Sequence, residues 1–186
     1  MAARKQHIKA LVLAAAKERY AAALPQDVVC IAPFSPSPME MVVQVWERLR
    51  PHVTAADLVV ELGCGDARWI IYGVQTFGCR AVGIEYDPKV AALAMDKVRE
   101  VGLDASIEIS IGDIVDPAFR LPAKTSIVIV YAFAETLNVN IKRLLAQSPP
   151  HTTIISVGFH VQGWTPSWSD RYVGLLCYVY DIDHCQ

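Results

Sequence analysis

Residues 59–68 read V-V-E-L-G-C-G-D-A-R: the end of an apolar run carrying an acid, then two glycines around one small residue. The apolar residues at 58–62 suit a buried strand of a parallel sheet, which Gly63 ends. Gly63 and Gly65 carry no Cβ, so the backbone can turn sharply and come close to a ligand. The helix that follows offers free backbone N–H groups to the same ligand. The stretch therefore predicts a strand, a ligand-binding turn and a helix.

Acids mark the ends of the first three predicted strands. Glu61 lies at the end of the first strand, Glu85 ends the second, and Asp113 follows the third. Glu85 comes about twenty residues after the loop, the spacing at which a carboxylate can hold ribose hydroxyls. Asp113 can accept a hydrogen bond from the amino group of an adenine. Each acid alone is explained equally well as an ordinary loop residue, but the ordered set predicts a nucleoside site.

Two features of the loop narrow its chemistry. Arg68 fills the position at which a dinucleotide-binding loop has its third glycine, so G-x-G is weak evidence for NAD. Cys64 is interpreted as a small loop residue, because the sequence shows no His or Asp that would activate its thiol as a nucleophile.

The five cysteines of the chain include no C-x-x-C pair, so neither a zinc site nor a disulfide framework is predicted. No metal-binding residue is predicted either.

The pattern of the whole chain predicts an α/β fold, a Rossmann-like doubly wound and mostly parallel sheet with helices on both faces. Predicted strands cover residues 58–62, 81–85, 105–111, 126–133, 152–159 and 173–180, and predicted helices cover 39–49, 67–77, 88–101 and 136–146. A further short strand is expected at 28–31. Residues 161–171 are interpreted as a loop. The chain then ends where a seventh strand is expected, which leaves the presence of the last strand open.

Residues 1–31 are predicted to form an N-terminal helix and lead-in, and residues 32–186 one domain. Residues 1–24 carry five bases and one acid, whereas the rest carries 12 bases and 18 acids. A net acidic body argues against nucleic-acid binding and suits a basic protein partner. No apolar run is long enough to span a bilayer. The basic, Ala-rich start is typical of a mitochondrial presequence, or of a helix packed on a cytoplasmic domain.

Three segments carry a resemblance to a known family: P-F-S-P-S-P at 33–38, E-L-G-C-G-D at 61–66 and G-F-H-V-Q-G-W-T-P at 158–166. From about Ala32 to about Asp181 the chain resembles class I (seven-strand) S-adenosylmethionine-dependent methyltransferases. More narrowly, it resembles the mitochondrial protein-lysine methyltransferases of the ATP synthase c subunit and the adenine nucleotide translocase, whose loop usually reads D-L-G-S-G-D. The resemblance implies S-adenosylmethionine as cofactor and a protein lysine as acceptor.

The candidate cofactor-binding residues of the loop and the strand ends are Glu61, Gly63, Cys64, Gly65, Asp66, Glu85 and Asp113. The resemblance implies that the proline-rich segment lies beside the cofactor, which adds Phe34 and Ser37 as candidates. Methyl transfer requires the nucleophile and the methyl group to be held close and aligned. A lysine acceptor must also lose a proton, which an apolar pocket favours. Tyr131, Phe133 and Trp164 are the candidate catalytic residues lining such a pocket, with Phe159 beside them. Phe133 and Phe159 are equally well explained as core residues.

Two other functions stay open: methyl transfer to a small molecule or RNA, and non-catalytic binding by a protein of the same fold. The fourth predicted strand ends Y-A-F-A at 131–134. Families that methylate nucleobase or glutamine nitrogens usually have an Asn or Asp with prolines there, which orients a planar amino group, and this chain lacks it. This run is distantly similar to the Asn-Phe-Ala-Phe run of the non-SET histone lysine methyltransferases, with Tyr131 in place of the asparagine. His160 is a further candidate base, or a loop histidine without a catalytic role.

Overall fold

The computed structural model describes residues 35–131 and 135–185, and from Pro36 onward these residues form one compact unit. Several predictions fall outside the described residues: the N-terminal helix, the strand at 28–31, the boundary between residues 31 and 32, and the side chains of Phe34 and Phe133.

Helices and strands alternate along the described part of the chain. The helices are α1 (Met39–Leu49), α2 (Arg68–Phe77), α3 (Pro88–Glu100) and α4 (Glu135–Leu145), with a 3-10 turn at Arg50–His52. The strands are β1 (Leu58–Leu62), β2 (Arg80–Glu85), β3 (Ile107–Ile111), β4 (Ile127–Tyr131), β5 (Thr153–Val157), β6 (Trp168–Tyr172) and β7 (Leu175–Asp181). None of these helices is long and apolar enough to cross a membrane.

The strands form one mixed sheet in the order β3-β2-β1-β4-β5-β7-β6. Strands β1 to β5 are parallel, and β7 runs antiparallel to both β5 and β6. The predicted mostly parallel α/β sheet is therefore confirmed, with an antiparallel hairpin at one edge. From β1 the chain builds outward to β2 and β3, then crosses back to β4 on the other side. The carboxyl ends of β1 and β4 thus border the switch point at which ligands bind in such sheets.

The sequence left the presence of a seventh strand open, and the structure has one: β6, which precedes β7 in the chain and forms the edge of the sheet. The prediction of a loop over residues 161–171 is therefore wrong for residues 168–171. The sequence of β6, residues 168–172, is polar because β6 is an edge strand of the sheet. Its side chains Ser169, Asp170 and Arg171 are exposed. Val173 and Gly174 both have positive φ angles, 48° and 85°. A two-residue turn of this kind matches the twist of a β-hairpin.

Strand β5 ends earlier than its composition predicts. Apolar residues continue past Val157, so the sequence predicts an end at residue 159, whereas the predicted end of β4 at residue 133 lies outside the described residues. Strand β5 stops at Val157 because Gly158 has a φ of 86°, which turns the backbone out of the sheet. Val157, the last residue of β5, pairs with Tyr131 of β4.

Both faces of the central strands are buried, as expected for a parallel sheet covered on each side. On one face, Val59 and Ile129 join a core with residues of α1, α2 and α3. The indole of Trp46 fills the space over Gly73, where an added Cβ would lie 2.6 Å from the ring. The alternate residues Val60 and Val128 point to the opposite face and are also fully buried.

Candidate functional site

The glycine loop turns away from β1 with backbone angles that glycine adopts most readily. Gly63 has a φ of 71° and Gly65 a φ of 57°. The N–H groups of Gly63 and Cys64 donate to the carbonyl of Ile84, at 2.8 and 2.9 Å, and so fold the loop over the end of β2. A Cβ built on Gly63 meets nothing within 4 Å. The loop therefore keeps open space beside its backbone.

Glu85 connects the loop to the end of β2. Its Oε2 accepts a hydrogen bond from the Gly65 N–H at 2.9 Å. Its Oε1 accepts from the N–H groups of Tyr86 and Asp87, at 2.9 and 3.0 Å. The half-buried carboxylate is thus held in one orientation at the carboxyl edge of the sheet, beside the loop.

Asp113 occupies the corresponding position after β3. The Gly112 N–H donates to the carbonyl of Glu85 at 2.9 Å, which places the two strand ends side by side. The Asp113 carboxylate is half-buried and accepts from the Val115 N–H at 2.9 Å. With Glu61 on β1, the structure brings the three predicted acids to the ends of three adjacent strands.

Glu61 is the most deeply placed of these acids, with 5% of its surface exposed. Among the described residues, its Oε2 has no hydrogen-bond partner. Burial, then the negative charges of Asp66 and Glu85, hold the pKa of Glu61 well above its ordinary value of 4.5. Glu61 therefore keeps its proton to a higher pH than an ordinary glutamate does.

Asp66 and Ser37 are buried and form hydrogen bonds that connect separate segments of the protein. Asp66 accepts hydrogen bonds from Arg68 at 2.9 and 2.6 Å and from Lys97 at 2.6 Å. Arg68 also donates to the Ser37 carbonyl, and the Ser37 hydroxyl accepts from the indole N–H of Trp69 at 2.9 Å. These two candidates support the shape of the loop, and a direct contact of their side chains with a ligand stays a prediction.

Cys64 also points into the protein. Its Sγ lies against β2, where a Cβ added to Gly83 would come within 2.8 Å of it. Burial raises the pKa of the thiol, which keeps it protonated and unreactive. Its candidate role in holding a ligand therefore rests on the loop backbone.

Two of the candidate aromatic residues, Tyr131 and Trp164, lie on different faces of the sheet. Tyr131 packs against the core formed with α1 to α3, and its ring contacts Gly158, where an added Cβ would be 3.2 Å away. Trp164 is buried and makes an edge contact with Tyr180 at a ring separation of 5.8 Å. Val179 belongs to the Tyr131 side, so its neighbour Tyr180 points to the other. The structure does not bring Tyr131 and Trp164 into one pocket.

Two residues of this region were missed from the sequence. Lys97 pairs with Asp66 across 31 positions, and Tyr180 holds the backbone of Val161 through its hydroxyl, at 2.9 Å. Neither contact has a local signal, because both depend on how separate elements pack. Among the described residues, no group of three or more His, Cys, Asp or Glu side chains is arranged to hold a metal ion.

Comparison with known sequences points to one family. Residues 61–168 match the profile of the family described as the ANTKMT methyltransferase domain. A curated relative from Saccharolobus islandicus (strain REY15A), named protein-lysine N-methyltransferase, is 27% identical over 136 residues. The match covers 72% of this chain and 81% of that protein.

Solved structures show the same architecture. An RNA methyltransferase from Salinibacter ruber, in complex with S-adenosyl-L-homocysteine, is similar with a TM-score of 0.71 and 28% identity, over 80% of this chain and 94% of that one. M. capricolum TrmK, bound to the same cofactor product, has a TM-score of 0.59 and 11% identity, over 76% of this chain and 69% of that chain. The second likeness concerns the fold alone.

Proposed function

The chain belongs to the ANTKMT methyltransferase domain family, and we propose that it transfers a methyl group from S-adenosylmethionine to the side-chain amine of a lysine in a protein. Methyl transfer from this cofactor follows from the family and from the related structures. The observation that carries the lysine acceptor is the family match over residues 61–168. The relative named protein-lysine N-methyltransferase supports it.

The described residues fit S-adenosylmethionine. The cofactor has hydroxyl and amino donors, and the carboxylates of Glu85 and Asp113 supply acceptors at neighbouring strand ends. The buried Oε2 of Glu61, which has no partner among the described residues, is a further acceptor for such a donor. The open space beside Gly63 lets the ligand approach the loop backbone.

When bound, the cofactor supplies an electrophilic methyl group on a sulfonium. The protein then has to hold the acceptor in line and at contact distance, since positioning supplies most of the rate in such a displacement. The position of Tyr131 in β4, next to the switch point, supports the proposal that its ring lines the acceptor side of the site. An apolar wall of this kind favours the uncharged amine, which is the nucleophilic form of lysine.

The charge distribution supports a protein acceptor. Residues 25–186 carry 12 bases and 18 acids. A net acidic body attracts a basic partner surface and repels the phosphates of RNA. This supports a lysine-bearing protein as the partner.

RNA is the second candidate acceptor. One observation favours it: the similar protein from Salinibacter ruber, which this chain covers over 94% of its length, is described as an RNA methyltransferase. The acidic body argues against this acceptor, since RNA-binding proteins rely on basic surface.

A methyl-transfer assay separates the candidates. Lysate from cells grown with a methylation inhibitor is divided into protein, RNA and small-molecule fractions, and each is incubated with methyl-labelled cofactor and purified protein. We expect label in protein, on lysine, as identified by mass spectrometry of the labelled peptides. Label in RNA or in metabolites would instead support the other acceptor classes. A Glu85→Ala variant is the matched blank for contaminating activity.

Failure to bind the cofactor would overturn the enzymatic proposal as a whole. Isothermal calorimetry with S-adenosylmethionine tests this. If no binding is detected, the alternative of a non-catalytic protein of the same fold is favoured.

A mitochondrial location is also proposed. It is supported by the five bases against one acid in residues 1–24 and by the resemblance to mitochondrial lysine methyltransferases. Mass spectrometry of the mature protein from cells tests it, because import of a presequence removes the first residues. Mature protein that keeps residues 1–24 and is found in the cytoplasm would contradict the proposed mitochondrial location.

A further inference from the structure

Two buried hydroxyls hold the β5–β6 loop, residues 158–167. Ser156 on β5 donates its hydroxyl to the Phe159 carbonyl at 2.8 Å. The hydroxyl of Tyr180 on β7 accepts a hydrogen bond from the Val161 N–H at 2.9 Å. Ser156 and Tyr180 are both fully buried. The two bonds fix the backbone on either side of His160.

The same loop borders the acceptor side of the site. The acids predicted to hold the cofactor end β1, β2 and β3, which lie on one side of the switch point. The acceptor therefore has to approach from the side of β4 and β5. Gly158, the first residue of the loop, contacts the Tyr131 ring at the end of β4. Phe159 and His160 follow directly and start the loop at this edge.

The Tyr180 ring also supports the loop by packing. Its centroid lies 6.2 Å from the His160 ring and 5.8 Å from the Trp164 ring, both in edge geometry. Trp164 is buried, whereas His160 is exposed. Burial raises the pKa of the Tyr180 hydroxyl to about 12, so the group stays neutral at physiological pH. A neutral hydroxyl at this place serves as a fixed acceptor for a backbone N–H that is otherwise cut off from water.

We propose that Tyr180 is a positioning residue for methyl transfer: by holding the Val161 N–H it keeps Phe159 and His160 in place to receive the acceptor. The inference rests on the proposed transfer to an external acceptor, but not on that acceptor being a lysine. Ser156 has the matching role at the Phe159 carbonyl. Neither residue needs to contact the cofactor.

Tyr180→Phe is the sharpest variant, because it removes one hydroxyl and leaves the ring packing intact. Hydrogen–deuterium exchange measured by mass spectrometry should show peptides covering residues 158–164 exchanging faster by roughly 3- to 10-fold, the factor expected for one lost hydrogen bond. The Kd for S-adenosylmethionine, measured by calorimetry, should stay within about twofold of the wild type, since the cofactor side is untouched.

The kinetic readout separates positioning from a merely structural role. With saturating labelled cofactor and varied concentrations of whatever lysate fraction the wild type methylates, we expect the apparent acceptor KM to rise roughly 3- to 10-fold, with a smaller change in kcat. Ser156→Ala should shift the same parameter in the same direction. Tyr178→Phe is the matched control, on the same strand and the same face: it keeps the ring that lies 5.2 Å from the His160 ring and removes only the hydroxyl, so both KM and loop exchange should stay unchanged.

Each other outcome has a distinct meaning. Unchanged exchange of the loop in Tyr180→Phe would overturn the inference whatever the activity does. Faster exchange with an unchanged acceptor KM would also overturn it, since the hydroxyl would then be structural only. A weaker Kd of Tyr180→Phe for S-adenosylmethionine would overturn it too, since the effect would then not be confined to the acceptor side. A wild type that methylates no fraction would overturn the proposed function, and the exchange experiment would still report on the loop.

Discussion

The carboxylate of Asp66 and the ammonium of Lys97 lie 2.6 Å apart, joining the glycine loop to α3. The Asp66 side chain is 6% exposed and that of Lys97 48%. Arg68 binds the same carboxylate from the start of α2. One buried carboxylate thus ties the loop to two helices, and the shape of the loop depends on that pair of contacts.

We expect Asp66→Asn to lower the free energy of unfolding by about 2 to 3 kcal/mol, because two cations lose a buried counter-charge. Urea unfolding followed by circular dichroism measures the change. Asp96→Asn is the control: Asp96 pairs with Arg99 at the surface, and its loss should cost less than about 1 kcal/mol. Equal effects of the two substitutions would contradict the assigned role of Asp66.

The same carboxylate predicts an acid limit to stability. Burial raises the pKa of Asp66, but the hydrogen bonds from Arg68 and Lys97 outweigh it and bring the pKa down to about 2, against an ordinary 3.8. A pKa lowered by folding stabilises the protein above the unfolded value, and this stabilisation is lost as the pH falls from 3.8 towards 2. Unfolding titrations between pH 5 and 2 should therefore be steeper for the wild type than for Asp66→Asn.

Glu61 predicts a dependence of the opposite sign. Its pKa is raised by folding, so the folded state holds more protons than the unfolded state above pH 4.5. The glutamate therefore costs stability increasingly as the pH rises from 4.5 to its folded pKa. Relative to the wild type, Glu61→Gln should gain unfolding free energy as the pH rises above 4.5. A difference that stays constant with pH would show that Glu61 does not titrate as described.

Glu85→Gln should weaken S-adenosylmethionine binding by roughly 10- to 100-fold, because charge-assisted hydrogen bonds to a carboxylate are lost. Calorimetry measures the Kd. Glu108→Gln, an exposed substitution on β3, is the control and should bind as the wild type does. Unaltered affinity in Glu85→Gln would remove this residue from the cofactor site.

Gly73→Ala should destabilise the fold by about 1 to 3 kcal/mol even though alanine is the better helix former. The new Cβ would lie 2.6 Å from the ring of Trp46, which is fully buried and donates its N–H to the Trp69 carbonyl. The fully buried ring would have to shift before the new Cβ could fit. Thermal unfolding tests this against Gln75→Ala, an exposed site on the same helix, which should be near neutral.

Much of the fold could be predicted because its signals are local. The apolar runs at 58–62 and 127–131 identify buried parallel strands, and Asp87 with Pro88 marks the start of α3, where the aspartate accepts the Lys89 N–H. Strand β6 was missed because an edge strand has one exposed face and shows no apolar alternation. Its existence depends on pairing with β7 through the turn at Val173.

By itself, the sequence determined the strand, glycine turn and helix at residues 58–77, and the acids Glu61, Glu85 and Asp113 that end successive strands. These follow from backbone and periodicity requirements that act over a few residues.

Only the tertiary structure decided which groups face outward. Asp66 became an internal tie because Lys97 reaches it from another helix. Trp164 was separated from Tyr131 because β7 presents Tyr180 to the opposite face of the sheet. Side-chain direction at a strand end depends on register and packing partners, and those are fixed only when distant segments meet.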